Sequence, residues 1–369
     1  MYAVSRSKKY KYPSNVVHRH IDLLTSADGM AKQLQGVEVE YVFFAAYMQK
    51  DTEKENWQVN GMANSSTTSS AFRLNSAGDM LDNFLRALEL TGTINKIKRI
   101  LLVTGLKQYG VHLGQVKVPI VETDPWLRDP PFPPNFYYRQ QDILRSFCEQ
   151  HPNTTWTVTY PSDVIGFAQG NFMNFASGLG LYAAVSKELG GQEHGLAFPG
   201  SETCYTGCET FTASTLHAQF CEWAVLEPKA ADQAFNVVNG DVQSWQEMWP
   251  RLARRLGMRV KADQFAAEES ELATKTAMPM AEQPPISVVA EEIGLKGRIW
   301  PSESESRVSL VKWSEQDEVK RAWATLAERD GLQKDAFEKA TWEFLDGVIG
   351  RNFDMVASMS KAREAGWTG

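Results

Sequence analysis

Residues 97–110 read IKRILLVTGLKQYG, and residues 133–142 read PPNFYYRQQD. The first is an apolar run closed by a Thr-Gly step, the pattern of a strand buried in a parallel sheet. The second opens with prolines and reads as a helix, with Asn135 as its N-cap. Strand followed by helix is one half of a βαβ unit. It puts Lys107 just past the strand and Tyr137 at the start of the helix. A lysine and a tyrosine on facing elements can hold and polarise a carbonyl oxygen, which is oxidoreductase chemistry.

The same alternation extends to both sides. Tyr2–Ser5 and Val16–Leu23 read as strands, Ser26–Gln35 as a helix and Val39–Ala46 as a buried strand. Asp79–Leu90 has an amphipathic helical period, and Thr154–Tyr160 is a strand closed by Pro161. This order predicts an α/β fold with a Rossmann-like, doubly wound parallel sheet covered by helices. Past Gly170 the pattern changes. Asn171–Leu189 predicts one helix, Phe235–Val238 a short strand and Trp245–Leu256 a helix. The remainder reads as mostly helix, with a polar interruption near Ala266–Pro285. The expectation is a sheet lobe over residues 1–170 and a smaller, mostly helical substrate-binding lobe over 171–369, with 235–241 returning to the sheet. A cleft between two such lobes is the natural place for a substrate.

The 369 residues suffice for two cores, and 43% hydrophobic with 22% charged residues is ordinary for a globular protein. A net charge of −7 without a long basic run argues against nucleic acid or an anionic membrane as partner. No uninterrupted apolar segment is long enough to span a bilayer, and MYAVSRSKKYKYP lacks the apolar stretch of a signal peptide, so a cytoplasmic protein is expected. Cys148, Cys204, Cys208 and Cys221 read as buried free thiols. Cys204 and Cys208 with His217 lack the fourth ligand and the spacing of a zinc site, so no metal is expected.

Two stretches depart from the pattern. No glycine-rich turn of the kind that cradles a pyrophosphate lies before residue 100. The GxG match, Gly178-Leu179-Gly180-Leu181-Tyr182-Ala183, sits inside a helical run rather than between strand and helix. Met62–Gly78, rich in Ser, Thr and Asn, reads as a surface loop inserted into what is otherwise one helix. A third point concerns the tyrosines. Classical short-chain dehydrogenases carry a lysine four residues after the reacting tyrosine, yet none of the eleven tyrosines has one there; Gln141 follows Tyr137.

These pieces resemble the PRISE group of atypical short-chain dehydrogenases, the relatives of progesterone 5β-reductase and iridoid synthase. The matching motifs are AVSR (Ala3–Arg6), TGLK (Thr104–Lys107), NFYY (Asn135–Tyr138), PSDVIGF (Pro161–Phe167), FNVVNGD (Phe235–Asp241) and GRNFDMVASMSK (Gly350–Lys361). PSDVIG looks like the fungal members. In the family, a strand, a TGxxGxxG turn and a helix precede the segment matching Tyr2–Arg6, and the sequence continues beyond the position of Gly369. That first strand lies between the second and the fourth. The resemblance therefore implies an unfilled place in the sheet between Tyr2–Ser5 and Val39–Ala46.

The resemblance also implies a reaction: NADPH-dependent 1,4-reduction of an α,β-unsaturated carbonyl, a small-molecule substrate suited to secondary metabolism. Tyr137 would hydrogen-bond the carbonyl oxygen as an enolate forms, and Lys107 would add positive charge nearby. Arg6 would pair with the 2′-phosphate of NADPH, and Ser7 stands where many members carry a second arginine. Asp22 and Leu23 match the adenine contacts, and Ala46 and Tyr47 the turn after the fourth strand. Val103 and Val164 match backbone contacts beside the nicotinamide, and Phe172 and Met173 would line the substrate pocket. A homodimer is allowed. Two alternatives stay open: a carbonyl reductase or epimerase using the same cofactor, and a non-catalytic remnant without the phosphate loop.

Overall fold

The computed structural model describes residues 1–6, 11–46, 77–168, 173–191, 193, 195–266 and 270–369. Ser7, Tyr47, Phe172 and most of the inserted stretch Met62–Gly78 lie outside the described residues. The alternation is present in the first half. Strands β1 (Tyr2–Ser5) and β2 (Val17–His20) lead to helix α1 (Ala27–Gln33), then β3 (Tyr41–Phe44), α2 (Ala77–Leu90), β4 (Arg99–Val103), α3 (Phe136–Gln150) and β5 (Thr155–Pro161). Short strands β6 (Asp163–Ile165) and β7 (Phe211–Ala213) follow, with helix α4 (Phe175–Ser186) between them, and then β8 (Gln233–Val237).

The sheet is Rossmann-like and parallel, in pieces. One piece has the order β3-β4-β5-β8, with every ladder parallel. The second is the parallel pair β1–β2, with Tyr2 opposite Val17 and Ser5 opposite His20. Among the described residues no ladder joins β1 to β3, so the sheet is in two pieces at the place that the family resemblance leaves unfilled. The reading of Val39–Ala46 as a fully buried strand is corrected accordingly. Val42 and Phe44 face the core, and Phe44 packs on Phe84 of α2 at 5.6 Å, while Phe43 on the other face is 50% exposed. β6 and β7 form a separate parallel pair, Val164 opposite Thr212.

Hydrophobic burial explains the helix positions. Met80, Leu81, Phe84, Leu85 and Leu88 make one buried stripe of α2, at the spacing of an amphipathic helix. α3 buries Leu144, Phe147 and Cys148, and Arg139 ties it to Asp79 of α2 at 2.6 Å. A second core gathers the aromatic residues of the later chain. It is built from α4, α5 (Trp245–Arg255), α6 (Asp317–Asp330) and α7 (Trp342–Ile349). Tyr182 meets Trp313 edge-on at 5.0 Å, and Phe198 meets Trp249 at 5.2 Å.

Three further expectations change. The helix expected over Asn171–Leu189 is α4, continuing into a π-helical turn at Lys187–Gly191 that ends around Gly190 with φ 95°. Glu303–Ser306, in the stretch read as mostly helical, is a strand that pairs antiparallel with Thr274–Ala277 of the polar interruption; Ser304 also bridges Arg351, so a distant partner outweighs the local pattern. Cys208 is exposed while Cys148, Cys204 and Cys221 are buried; it sits just past a short helical turn, its N–H donating to Asp354 Oδ1 at 2.8 Å. Among the described residues no helix is long and apolar enough to cross a membrane.

Candidate functional site

The chain leaves β4 through Thr104 and Gly105 and tightens into a 3-10 turn, Leu106–Tyr109. Leu106, Gln108 and Tyr109 of this turn are buried, and Lys107 between them is only partly so. Tyr109 is fixed from below, its hydroxyl donating to Asn236 Oδ1 at 2.8 Å and its ring meeting Tyr160 edge-on at 5.6 Å. The turn is therefore held by its apolar and amide side chains, with the lysine carried at its rim.

Tyr137 is the second residue of α3. Asn135 caps that helix as expected, Oδ1 accepting from Tyr137 N at 3.0 Å. The same side chain reaches across and donates from Nδ2 to the Lys107 carbonyl at 2.8 Å. A Cβ added to Gly105 would lie 3.5 Å from the Tyr137 hydroxyl and 3.4 Å from the Pro161 carbonyl. The hydroxyl thus lies at the carboxyl ends of β4 and β5, beside the backbone of Gly105. Burial first, and the Lys107 charge second, push the His112 pKa well below its ordinary value, so its imidazole is neutral at neutral pH. The adjacent Tyr138 faces inward: its hydroxyl donates to the Gln108 carbonyl at 2.7 Å, accepts from Leu127 N at 2.9 Å, and its ring stacks on Trp126 at 4.8 Å.

The other expected residues also follow the ends of parallel strands, where sheets of this class bind ligands. Val103 ends β4, and Val164 lies in β6 just beyond the end of β5. Arg6 is exposed past β1, with His20 Nδ1 against its carbonyl at 2.9 Å. Asp22 lies past β2, its N–H donating to Gln33 Oε1 at 2.8 Å and its Oδ1 accepting from Leu24 N at 3.0 Å; Leu23 beside it is half-buried. Ala46 follows β3. Met173 lies just before α4, and Ile165, Phe167 and Met173 all present exposed apolar surface. Val103, Lys107 and Tyr137 lie on β4, the turn after it and α3, which Asn135 joins, whereas Arg6, Asp22 and Leu23 follow the strands of the separate β1–β2 pair. Ser7, Tyr47 and Phe172 lie outside the described residues.

The residue-by-residue reading missed two buried polar groups. Gln141, Gln108 and Tyr160 form one: Gln141 Nε2 donates to Gln108 Oε1 at 2.8 Å, and the Tyr160 hydroxyl donates to Gln141 Oε1 at 2.6 Å. The other is ionic. Arg351 Nη1 donates to Asp163 Oδ2 at 2.7 Å, with Glu209 alongside and Cys204 Sγ donating to Glu209 Oε1 at 3.3 Å. Burial pushes the Glu209 pKa up to about 7, opposed by Arg351 and reinforced by Asp163. The sequence signal was there in outline: Asp163 and Arg351 are charges inside two of the motifs that carry the resemblance, PSDVIGF and GRNFDM.

Known proteins match this chain over most of its length. A family profile for a PRISE-like Rossmann-fold domain matches residues 17–276. An uncharacterized protein of Schizosaccharomyces pombe is 37% identical over 375 residues, covering 100% of this chain and 86% of that protein. The (S)-8-oxocitronellyl enol synthase of Nepeta racemosa is 31% identical, covering 70% of this chain and 62% of its own. The 3-oxo-Delta(4,5)-steroid 5-beta-reductase of Arabidopsis thaliana is 27% identical, covering 94% and 74%.

Proposed function

The chain belongs to the PRISE family of Rossmann-fold proteins, and on that premise we propose that it is an NADPH-dependent reductase acting on the C=C bond of an α,β-unsaturated carbonyl. The observation that carries this reading is the junction of the two reacting elements: Asn135 bonds the Lys107 carbonyl and caps the helix that presents Tyr137. The Arabidopsis relative is, by its name, a reductase of a 3-oxo steroid unsaturated at the 4,5 bond, which is an enone. That supports the substrate class.

The strand ends suit the cofactor in part. Arg6 is exposed past β1, and a guanidinium fork fits the 2′-phosphate that distinguishes NADPH. The loops at Asp22–Leu23 and at Ala46 would meet the adenosine, and the backbone at Val103 and Val164 the nicotinamide. Among the described residues no glycine-rich turn opens a helix toward the pyrophosphate. When bound, the cofactor supplies hydride to the β-carbon.

The chain's own residues handle the charge that results. Hydride addition to the β-carbon leaves negative charge on the carbonyl oxygen. The Tyr137 hydroxyl donates a hydrogen bond to that oxygen, and the Lys107 ammonium adds a positive field in a partly dry site. His112, kept neutral, adds no competing charge beside the lysine. Ile165, Phe167 and Met173 offer apolar contact to a substrate with little polarity of its own. Small enones of secondary metabolism fit that description.

Titration of NADPH fluorescence with the protein, followed by assays of small enones against saturated ketones, tests the reading. Binding of NADPH and turnover of enones alone are expected. Tyr137→Phe should lower enone turnover by about 10²–10³ with unchanged NADPH affinity. Full turnover by that variant overturns the role given to the hydroxyl.

A further inference from the structure

The helix position four residues past Tyr137 is where a classical dehydrogenase carries its lysine, one turn along the same face. Here Gln141 occupies it with 0% exposure. An ammonium there would be cut off from water beside an amide and a phenol, so the positive charge has to come from another element. Gln141 is bonded at both ends of its amide. Nε2 donates to Gln108 Oε1 at 2.8 Å and to the Tyr137 carbonyl at 3.2 Å, and Oε1 accepts from the Tyr160 hydroxyl at 2.6 Å. Gln108, its partner, is the residue next to Lys107.

Asn135 holds the other side of the same turn, with Nδ2 on the Lys107 carbonyl and Oδ1 on Tyr137 N. Tyr138 adds a bond to the Gln108 carbonyl. Both successive carbonyls of the lysine-bearing turn, and the side chain of Gln108, are thus engaged by side chains of α3 and its cap. A side-chain amide offers a donor and an acceptor at once from one rigid plane, with no charge to bury. That is what bridging the two elements requires at 135 and at 141.

We propose that Asn135 and Gln141 are positioning residues that clamp the Lys107 turn to helix α3 and thereby set the separation of Lys107 from Tyr137. The clamp replaces helix periodicity, which sets that separation when both residues share one helix. The proposal deepens the enone-reductase reading and rests on it. Displacement of a reacting group by about 1 Å costs on the order of 10² in rate, so the clamp has a kinetic signature.

Asn135→Asp is the decisive variant. It keeps the N-cap acceptor for Tyr137 N, since Asp caps helices as well as Asn does, and removes the donor to the Lys107 carbonyl. Gln141→Met tests the second site, losing the donor to Gln108 and the acceptor for Tyr160 at a similar volume and without burying a charge. Each should lower kcat for enone reduction about 10–100-fold with the KM for NADPH unchanged. Amide exchange in residues 106–110 should quicken while exchange elsewhere stays as in the wild type; this readout needs no turnover. A wild-type kcat and wild-type exchange in Asn135→Asp overturn the clamp. Tyr137→Phe, measured in parallel, separates the two layers. If it is impaired and Asn135→Asp is not, only the clamp falls. If it turns over at the wild-type rate, the reaction assignment falls and takes the positioning role with it.

Discussion

Tyr137 and Tyr138 are neighbours in sequence to which the proposal gives opposite duties, one to meet the substrate and the other to hold the fold. Tyr138 is buried and satisfies two backbone groups at once, Leu127 N–H and the Gln108 carbonyl. Burial accordingly raises its pKa, so it stays a neutral donor. Tyr138→Phe leaves both backbone groups without that partner inside the protein. A cost of about 1–3 kcal/mol is expected, read as a lower urea midpoint. Tyr137→Phe is expected to do the reverse, with a stability close to wild type and turnover lost. Equal loss of stability in both variants would show that Tyr137 is a core group too. Sequence could separate the pair because a step of one residue turns a helix by about 100°. It could not reveal Gln141 as a brace, because a glutamine in a helix has no pattern of its own; only the neighbouring Gln108 and Tyr160 give its amide a purpose.

At the scale of the element, the strands of the first half were legible because a parallel strand writes itself as an unbroken apolar run, as in Ile100-Leu101-Leu102-Val103. β6 and β7 were not, since three residues each of mixed polarity make no period. The glycines of α4 illustrate the same limit. Their spacing mimics a dinucleotide loop, but in the structure Gly178 has a packing role and Gly180 has none. A Cβ on Gly178 would lie 2.3 Å from Leu345 Cδ1, and Leu345 is a buried residue of α7, so this glycine lets two helices approach. Gly180, two residues on, has nothing within 4 Å of its would-be Cβ. Gly178→Ala is therefore expected to destabilise by about 1–3 kcal/mol through overpacking. Gly180→Ala should stabilise by up to about 1 kcal/mol, as alanine replaces glycine inside a helix. Urea denaturation of both variants checks the pair, and a gain at both sites would contradict the helix crossing at Gly178.

Across the whole molecule, segments far apart in sequence meet at Glu209, Asp163 and Arg351. Asp163 belongs to the strand that carries Val164, Arg351 to the C-terminal GRNFD motif, and Glu209 bridges both Gln243 and Met355. Cys204 from its own side, and Trp245 of α5, complete the surroundings of the Glu209 carboxyl. Burial there raises its pKa from 4.5 to about 7. Between those values the folded chain keeps a proton that the unfolded chain has released, so unfolding releases that proton and is favoured by rising pH. The stability from protonated Glu209 is fully present below about pH 4.5 and is gone once the pH has risen through 7, a change on the order of 3 kcal/mol. His217 works in the opposite sense. Burial lowers its pKa from 6.5 to about 4, so its contribution is present above pH 6.5 and lost as the pH falls. The two trends overlap, and the raw pH profile of the wild type will hide both. Glu209→Gln removes one of them, because the amide is neutral at every pH and still accepts from Cys204. The wild type should lose about 2–3 kcal/mol relative to Glu209→Gln between pH 4.5 and 7.5, with His217 cancelling in the difference. Urea unfolding of both proteins at pH 5, 6, 7 and 8 measures it; parallel profiles would mean that Glu209 is ionised throughout and that Arg351 neutralises two carboxylates rather than one.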